Sequence, residues 1–343
     1  MTFAFVGSIL FRALVEPLVV FFSNMGASGG AADLQFGWQM SAVVFAIIAA
    51  GMFFCTFAWT RERVKPIKES RNRLRDDIKD LVVNRPWWIL LGASISAQVF
   101  NSIRDGSAVF YLKYYMENTG AFSFGLVSAP VSLTTIYLVL GQIANIVGII
   151  LVTPISNRIG KKMTYLWAMV LATVLSGGFY FLGKENIAGV LTLQFLISMC
   201  AGAIFPLLWS MYADVADFSE MRTGRRATGL IFSSSSMSQK FGWTIAGALT
   251  GWLLGYFGFE ANVVQTETAQ NGIRLMMSFL PAMGTVLSVV FIALYPLNES
   301  KISYITQTLN EKRDENHNDA NIDKEKSGRY LPHSNVPRGT GFC

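Results

Sequence analysis

Apolar residues are grouped along the chain in eight blocks, and each block is long enough to cross a lipid bilayer. A membrane-spanning helix needs about 20 predominantly apolar residues. The blocks cover residues 3–22, 36–59, 87–112, 126–152, 163–182, 189–212, 228–257 and 272–296. Backbone polar groups in lipid must be satisfied within the protein, which favours helices. The pattern therefore predicts an all-α, polytopic membrane protein with about eight transmembrane helices.

The spacing of the blocks divides the chain into four parts. Residues 1–60 carry two spans and residues 87–297 carry six, the number found in one half of a two-bundle transporter. Between them, residues 61–86 mix charged and apolar positions and predict a helix lying along the cytoplasmic face or a solvated linker helix. Residues 298–343 are mostly polar, which predicts a disordered tail.

Composition and charge placement agree with this membrane architecture. Of the 343 residues, 52% are hydrophobic and 15% are charged, whereas soluble domains carry about 25% charged residues. Basic residues are concentrated in the loops at 61–86, 158–162 and 222–226. The loops between them, at 23–35, 115–125, 183–188 and 258–271, contain one basic residue, Lys184. Basic loops stay cytoplasmic, so both ends of the chain are predicted to be cytoplasmic. The net charge of +6 follows from these loops and the tail, and does not indicate nucleic-acid binding.

Cysteine and histidine residues exclude several classes of function. Cys55 and Cys200 lie in apolar spans and Cys343 ends the chain, so no disulfide framework is expected. The two histidines, His317 and His333, lie in the polar tail. The sequence contains no cluster of metal ligands, no nucleophile–histidine pair and no phosphate-binding glycine loop. We therefore predict neither a metal site nor a cofactor, and no enzyme activity.

Lys240 is the most informative polar residue in the spans. It lies about 13 residues from the basic loop at 222–226, which on a helix corresponds to roughly 20 Å of depth. A cation at that depth is costly and needs a partner, a water-filled cavity or a function. The alternative is a lysine that extends to the membrane surface from a helix end. We predict that Lys240 binds substrate or couples transport.

Charged residues in two other spans are predicted to neutralise each other locally. Glu16 follows Arg12 by four residues and so lies on the same helical face. Asp105 adjoins Arg104 in the third span. A role of Arg104 and Asp105 in a sugar path or an outer gate is the alternative to a purely structural pair.

Further polar and aromatic side chains in the spans are candidates for substrate contacts. Amide groups can bind sugar hydroxyls or hold helices together, and aromatic rings can stack on a sugar or form an interfacial belt or core. These residues are Asn101, Gln142, Asn145, Tyr111 and Trp209.

Three segments resemble the glycoside–pentoside–hexuronide cation symporters of the major facilitator superfamily. They are NRPWWILL at 84–91, IRDGSAVFYLKYY at 103–115, and the stretch from Trp209 to Lys240. The last stretch is similar to the family signature D-x-x-D-[YF]-x-E…G-x-R. The matching residues are Asp214, Asp217, Phe218, Glu220, Gly224 and Arg226, followed by Lys240. Thr228 stands two residues after Arg226, where the family signature often has a glutamate.

The resemblance implies a sugar and cation symporter of the bacterial inner membrane that works by alternating access as a monomer. It implies twelve helices in the family, of which the first two spans here resemble the fifth and sixth. The chain would then lack the first four, which carry the acidic cation ligands and most sugar contacts. The coupling cation would be Na⁺ or H⁺, the substrate a small sugar, and lipid the surrounding partner.

The same resemblance suggests a gate of charged residues at the cytoplasmic ends of the helices, in which ion pairs form in one state and break in the other. Its candidate residues are Asp214, Asp217, Glu220, Arg222, Arg226, Arg158 and Lys161. Gly160 would permit the tight turn between the last two.

Two other functions stay open at this point. A related carrier of lysolipids would use a continuous apolar cleft, with Lys240 as an anchor for a phosphate. A membrane sensor, or an inactive fragment, would not transport at all. Polar residues in several spans favour the sugar transporter.

Overall fold

A computed structural model describes residues 2–26, 33–60, 74–117, 121–122, 131–224 and 228–311. Residues 61–73 of the predicted loop at 61–86, the gate candidate Arg226 and the tail beyond residue 311 lie outside the described residues.

Helices account for nearly all of the described chain. The first two are α1 (Thr2–Met25) and α2 (Leu34–Trp59), and α3 (Leu74–Val83) follows as a short connecting helix. The remaining helices are α4 (Arg85–Phe110), α5 (Leu133–Ile159), α6 (Lys161–Gly178), α7 (Ile187–Thr223), α8 (Thr228–Tyr256), α9 (Glu267–Met277), α10 (Phe279–Ala293) and α11 (299–311). Two short antiparallel strands, β1 (Ala121–Phe122) and β2 (Val131–Ser132), pair before α5.

Side-chain caps explain where several of these helices begin. Asp33, Asn84, Ser132 and Asn186 each accept a hydrogen bond from a backbone N–H of the first turn of α2, α4, α5 and α7. The first N–H groups of a helix lack backbone partners, so a cap satisfies one of them. The predicted span at 126–152 accordingly begins as a helix only at Leu133, directly after its Ser132 cap.

Six helical segments in the described part of the chain are long and apolar enough to cross a membrane. They comprise α1, α2, α5, α6, α7 and the α9–α10 segment, which is interrupted at Ser278. The helices α4 and α8 are 26 and 29 residues long and pack among these spans, but their polar side chains lower their hydropathy. The predicted all-α membrane fold is confirmed.

The helices from α4 to α10 form one bundle. Going round it, α5 packs on α7, α7 on α6, α6 on α10, α10 on α4 and α4 on α8. At the crossing of α5 and α7, a Cβ atom added to Gly148 would overlap the carbonyl oxygen of Met199. Glycine therefore permits the close approach, as small residues do between membrane helices.

The pair α1–α2 adds to this bundle along a single edge. Helix α1 packs on α2 and on α5, whereas the buried residues of α2 are Gly37 and Ser41 alone. The large side chains of α2, such as Phe57, face away from the protein. Exposed apolar surface of this extent is expected where lipid covers a helix.

The prediction of disorder is wrong for residues 299–311, which form α11. Ile305 and Leu309 are 4% and 5% exposed and belong to the same buried apolar cluster as Leu81 of α3. The two apolar residues are four positions apart and so share a helical face. The polar composition of the surrounding sequence concealed this short amphipathic pattern.

Candidate functional site

A polar cavity of about 510 Å³ lies where α1 meets α4, α5, α7 and α8. Its wall is made of amide, hydroxyl, charged and aromatic side chains. The lining residues are Phe5, Arg12, Gln98, Asn101, Ser102, Arg104, Asp105, Gln142, Asn145, Ser198, Ala201, Phe205, Gln239 and Trp243. A cavity with aromatic walls and several convergent polar groups is typical of a small-molecule site.

Five of the residues predicted to contact substrate line this cavity. They are Asn101, Arg104, Asp105, Gln142 and Asn145. Sequence reasoning missed Gln98, Gln239 and Trp243, and helical spacing could have found two of them. Gln98 is three positions before Asn101 on α4, and Trp243 is three positions after Lys240 on α8, so each shares a helical face with a predicted residue.

Arg104 is buried, with 5% of its surface exposed, and neutral groups hold its side chain. It donates hydrogen bonds to the hydroxyl of Tyr137 at 3.0 Å and to the side-chain oxygen of Gln194. Its guanidinium carbon lies 5.3 Å from the ring centre of Phe179, within range of a cation–π contact. The guanidinium group is thus fixed in orientation at the cavity wall.

The predicted local pair of Arg104 with Asp105 is not formed. Asp105 instead pairs with Arg12 of α1, at 3.3 Å between Nη2 and Oδ2. Neighbouring residues on an α-helix point about 100° apart, so Arg104 turns into the bundle while Asp105 turns toward α1.

The predicted neutralisation of Glu16 by Arg12 is also wrong. The carboxylate of Glu16 accepts hydrogen bonds from the backbone N–H and the hydroxyl of Ser132, at 3.4 and 3.1 Å, and from the hydroxyl of Thr135. Both charged residues of α1 therefore bind partners on other helices. Spacing along one helix favours a local pair, and it carries no information about helices packed beside it.

Lys240 lies beside the cavity on an exposed face of α8. Its ammonium nitrogen is 4.4 Å from the ring centre of Trp243, which belongs to the cavity wall. Within the described residues, the structure shows no salt bridge to Lys240. The cation is thus held against an aromatic face at the cavity edge, and its predicted role in binding or coupling stays a prediction.

Tyr111 and Trp209 do not line the cavity. Tyr111 is buried and stacks on Tyr115 at 5.0 Å, within a π-helical turn that spans Tyr111–Tyr115 and extends α4. Trp209 stacks on Phe232 at 5.6 Å, between α7 and α8. Both rings pack within the bundle, which places them away from the polar wall.

One ion pair joins two of the predicted gate residues. The ammonium group of Lys161 lies 2.8 Å from both carboxylate oxygens of Asp214, which is largely buried. The backbone N–H of Lys161 donates to Glu299 of α11 at 2.7 Å. Gly160 precedes it with φ of 85°, a conformation that glycine adopts freely.

The other gate candidates are dispersed at the same end of the bundle. Arg158 is exposed, and Arg222 lies in a separate small cleft with Lys79 and Ser219. The side chains of Asp217 and Glu220 are partly buried on α7. Sequence reasoning missed Glu299, because it lies in the segment predicted to be disordered.

The described residues contain no group of three or more His, Cys, Asp or Glu side chains placed to hold a metal ion. Asp105 is the single carboxylate among the residues that line the cavity.

Most of the chain is similar to proteins named as transporters and symporters. A family model described as "MFS/sugar transport protein" matches residues 1–299. The chain is 30% identical over 299 residues to the isoprimeverose transporter of Lactiplantibacillus pentosus, covering 85% of this chain and 58% of that protein. It is 26% identical over 304 residues to the putative glycoside/cation symporter YagG of Escherichia coli, covering 88% and 62%.

A glucuronide carrier protein homolog of Escherichia coli is 28% identical over 271 residues, which cover 79% of this chain and 57% of that protein. The chain thus spans about 57–62% of the length of these curated relatives.

Proposed function

Because the chain belongs to the MFS/sugar transport protein family, we propose that it moves a glycoside across the membrane together with a cation. The relatives are named as transporters and symporters, not as enzymes. The apolar helices and these bacterial relatives place the chain among multi-pass proteins of the inner membrane. Transport would proceed by alternating access, with sugar and cation each favouring one state of the protein.

The polar cavity at the edge of the bundle is the observation that carries this proposal. It offers amide groups such as Gln98, Asn101 and Gln142, the fixed guanidinium of Arg104, and the ring of Trp243. Sugars present hydroxyl groups to hydrogen-bonding partners and a flat C–H face to aromatic rings. A site that hydrogen-bonds several hydroxyls also discriminates against molecules that lack them.

The wall of the cavity favours a sugar over a lysolipid. A lysolipid carrier would need an apolar cleft that continues from a charged anchor. Here the residues around Arg104 and Asp105 are predominantly polar along α4 and α5. We propose a small glycoside or glycoside-like molecule as the substrate, with isoprimeverose and glucuronides as the first compounds to test.

The orientation and the coupling cation are parts of the same proposal. We propose that the basic loops lie in the cytoplasm, so both ends of the chain lie there too. Lipid surrounds the membrane-spanning helices. Na⁺ or H⁺ is proposed as the coupling cation, and Lys240 as a residue that binds substrate or couples the two movements. The transporter is proposed to act as a monomer.

Uptake into proteoliposomes that contain the chain tests the function. Radiolabelled isoprimeverose and methyl glucuronide are supplied with an inward Na⁺ gradient, an inward H⁺ gradient or none. We expect one sugar to accumulate with one gradient. Gln142→Ala should reduce uptake because it removes an amide from the cavity wall, whereas Gln307→Ala on the exposed face of α11 should not.

Binding of a sugar without accumulation under any gradient would favour the sensor instead. If no sugar binds, and a lysolipid binds to the parent but not to Lys240→Ala, the result would favour the lipid carrier. Either result would overturn the proposed sugar symport.

A further inference from the structure

We propose that Arg12 and Glu16 form a two-point latch that holds α1 against the bundle and opens when the protein changes state. The opening rests on the proposed transport function, whereas the latch itself does not. Nothing in the family match assigns a role to either residue. The two side chains leave α1 four residues apart, on the same face, and each reaches a different helix of the bundle.

The first point of the latch is Glu16 at the beginning of α5. Ser132 is the N-cap of that helix, and its backbone N–H and hydroxyl both donate to the carboxylate of Glu16. Thr135, in the first turn, donates to the same oxygen. The positive end of the helix dipole and three donors thus converge on one negative charge.

The second point is the ion pair of Arg12 with Asp105 of α4. Their side chains are 26% and 50% exposed, and both residues line the polar cavity. A half-exposed ion pair contributes little by itself. A polar molecule that enters the cavity can therefore compete for Arg12 or Asp105 at small cost, and this part of the latch responds to occupancy.

Glu16 does not line the cavity, so a molecule bound there does not touch this contact directly. Another contact of α1 with the bundle is apolar, since the ring centre of Phe5 lies 6.2 Å from that of Phe205. Substrate would weaken the ion pair of Arg12 with Asp105. The contact of Glu16 with α5 would then be the main polar contact that keeps α1 from separating from the bundle. The proposed orientation places the Glu16 point on the outer half of the membrane, because α5 ends at the basic loop containing Arg158.

Distance measurements between spin labels test the latch in the whole chain in nanodiscs. With Cys55, Cys200 and Cys343 replaced by serine, labels go on Met25→Cys at the end of α1 and on Glu185→Cys beside the bundle, both exposed. The parent should show one predominant short distance. Glu16→Gln should raise the ratio of long to short distances on the order of tenfold, because it removes the charge that the three donors share.

Thr135→Val should shift the ratio in the same direction, because it removes a donor without changing α1. Asp33→Asn is the matched control, since the side chain of this acid caps α2 and its contact with α1 is made by the backbone N–H, which the substitution keeps. Arg12→Asp should also lengthen the distance, and Arg12→Asp with Asp105→Arg should restore it.

The latch would be overturned if Glu16→Gln left the distances unchanged, or if it lengthened them while Thr135→Val did not. Circular dichroism and elution volume equal to the parent show that each variant is folded. No sugar is needed for this readout, so a failed latch and a failed uptake assay are seen separately. An unchanged distance with normal uptake would reject the latch and keep the transport function.

Discussion

Individual side chains around the cavity are held by neighbours that leave little freedom of orientation. Arg104 donates to Tyr137 and Gln194 at once, which fixes the plane of its guanidinium group. The cavity thus presents a cation of fixed direction to any hydroxyl or carboxylate that enters.

Lys240 differs from Arg104 because it is exposed and touches one aromatic ring. We expect Lys240→Ala to abolish coupled sugar accumulation and to leave the amount of protein in the membrane unchanged. The substitution removes a charge at the cavity edge and no buried contact. The measurement is gradient-driven uptake in proteoliposomes, normalised to the protein incorporated.

Lys113 provides the matched control for this prediction. Its ammonium nitrogen lies 4.9 Å from the ring of Tyr114, in a similar cation–π contact away from the cavity. Lys113→Ala should therefore retain parental accumulation. Parental uptake by Lys240→Ala, or equal losses in the two variants, would reject the assignment of Lys240 to the site.

At the scale of helices, the sequence predicts the lengths of the membrane spans but not which helices pack against each other. The apolar blocks predicted the spans well, since hydropathy depends on residues near in sequence. The spacing of Arg12 and Glu16 favours a pair within α1, yet their partners Asp105 and Ser132 lie on α4 and next to α5. Contacts between helices distant in sequence cannot be read from the period of one helix.

The predicted cytoplasmic gate shows the same limit. Lys161 and Asp214 were both candidates, and they pair at 2.8 Å. They lie on α6 and α7, however, which belong to the same bundle. If a bundle rocks as a rigid body, an ion pair inside it does not change between states. The gating role of these residues stays a prediction, and the pair acts in this structure to fix the end of α6.

Helix α11 is held to the bundle by the apolar side chains of Ile302, Ile305 and Leu309 and by Glu299. We expect Leu309→Ala to detach this helix locally, because truncating a buried leucine costs about 2–5 kcal/mol and one of the two buried apolar side chains of α11 is lost. Hydrogen exchange of residues 299–311 should become faster while α7 is unaffected. Gln307→Ala, on the exposed face of the same helix, is the control and should leave exchange unchanged. Equally fast exchange throughout the bundle would show that α11 supports the whole fold.

For the whole molecule, five of the residues predicted from the sequence to contact substrate line one cavity. Sequence reasoning did not find that the cavity lies where α1 meets α4 and α5. That position depends on how the pair α1–α2 docks, which neither composition nor motif determines. The wall residues Gln98 and Ser198 belong to helices separated by about 100 positions, and folding alone brings them together.

The docking of α1–α2 leads to a prediction about independent folding. Helix α2 buries Gly37 and Ser41, both at its contact with α1, and most of its remaining side chains are exposed. Two helices cannot enclose polar side chains such as Arg12 and Glu16, whose partners lie on α4 and beside α5. Residues 1–60 produced alone in nanodiscs should therefore lack a protease-resistant core and a cooperative thermal transition. Residues 74–311 should retain both, because their bundle buries its own core. A compact, protease-resistant form of residues 1–60 would show instead that the pair is stable by itself and that the contacts of Arg12 and Glu16 only position it.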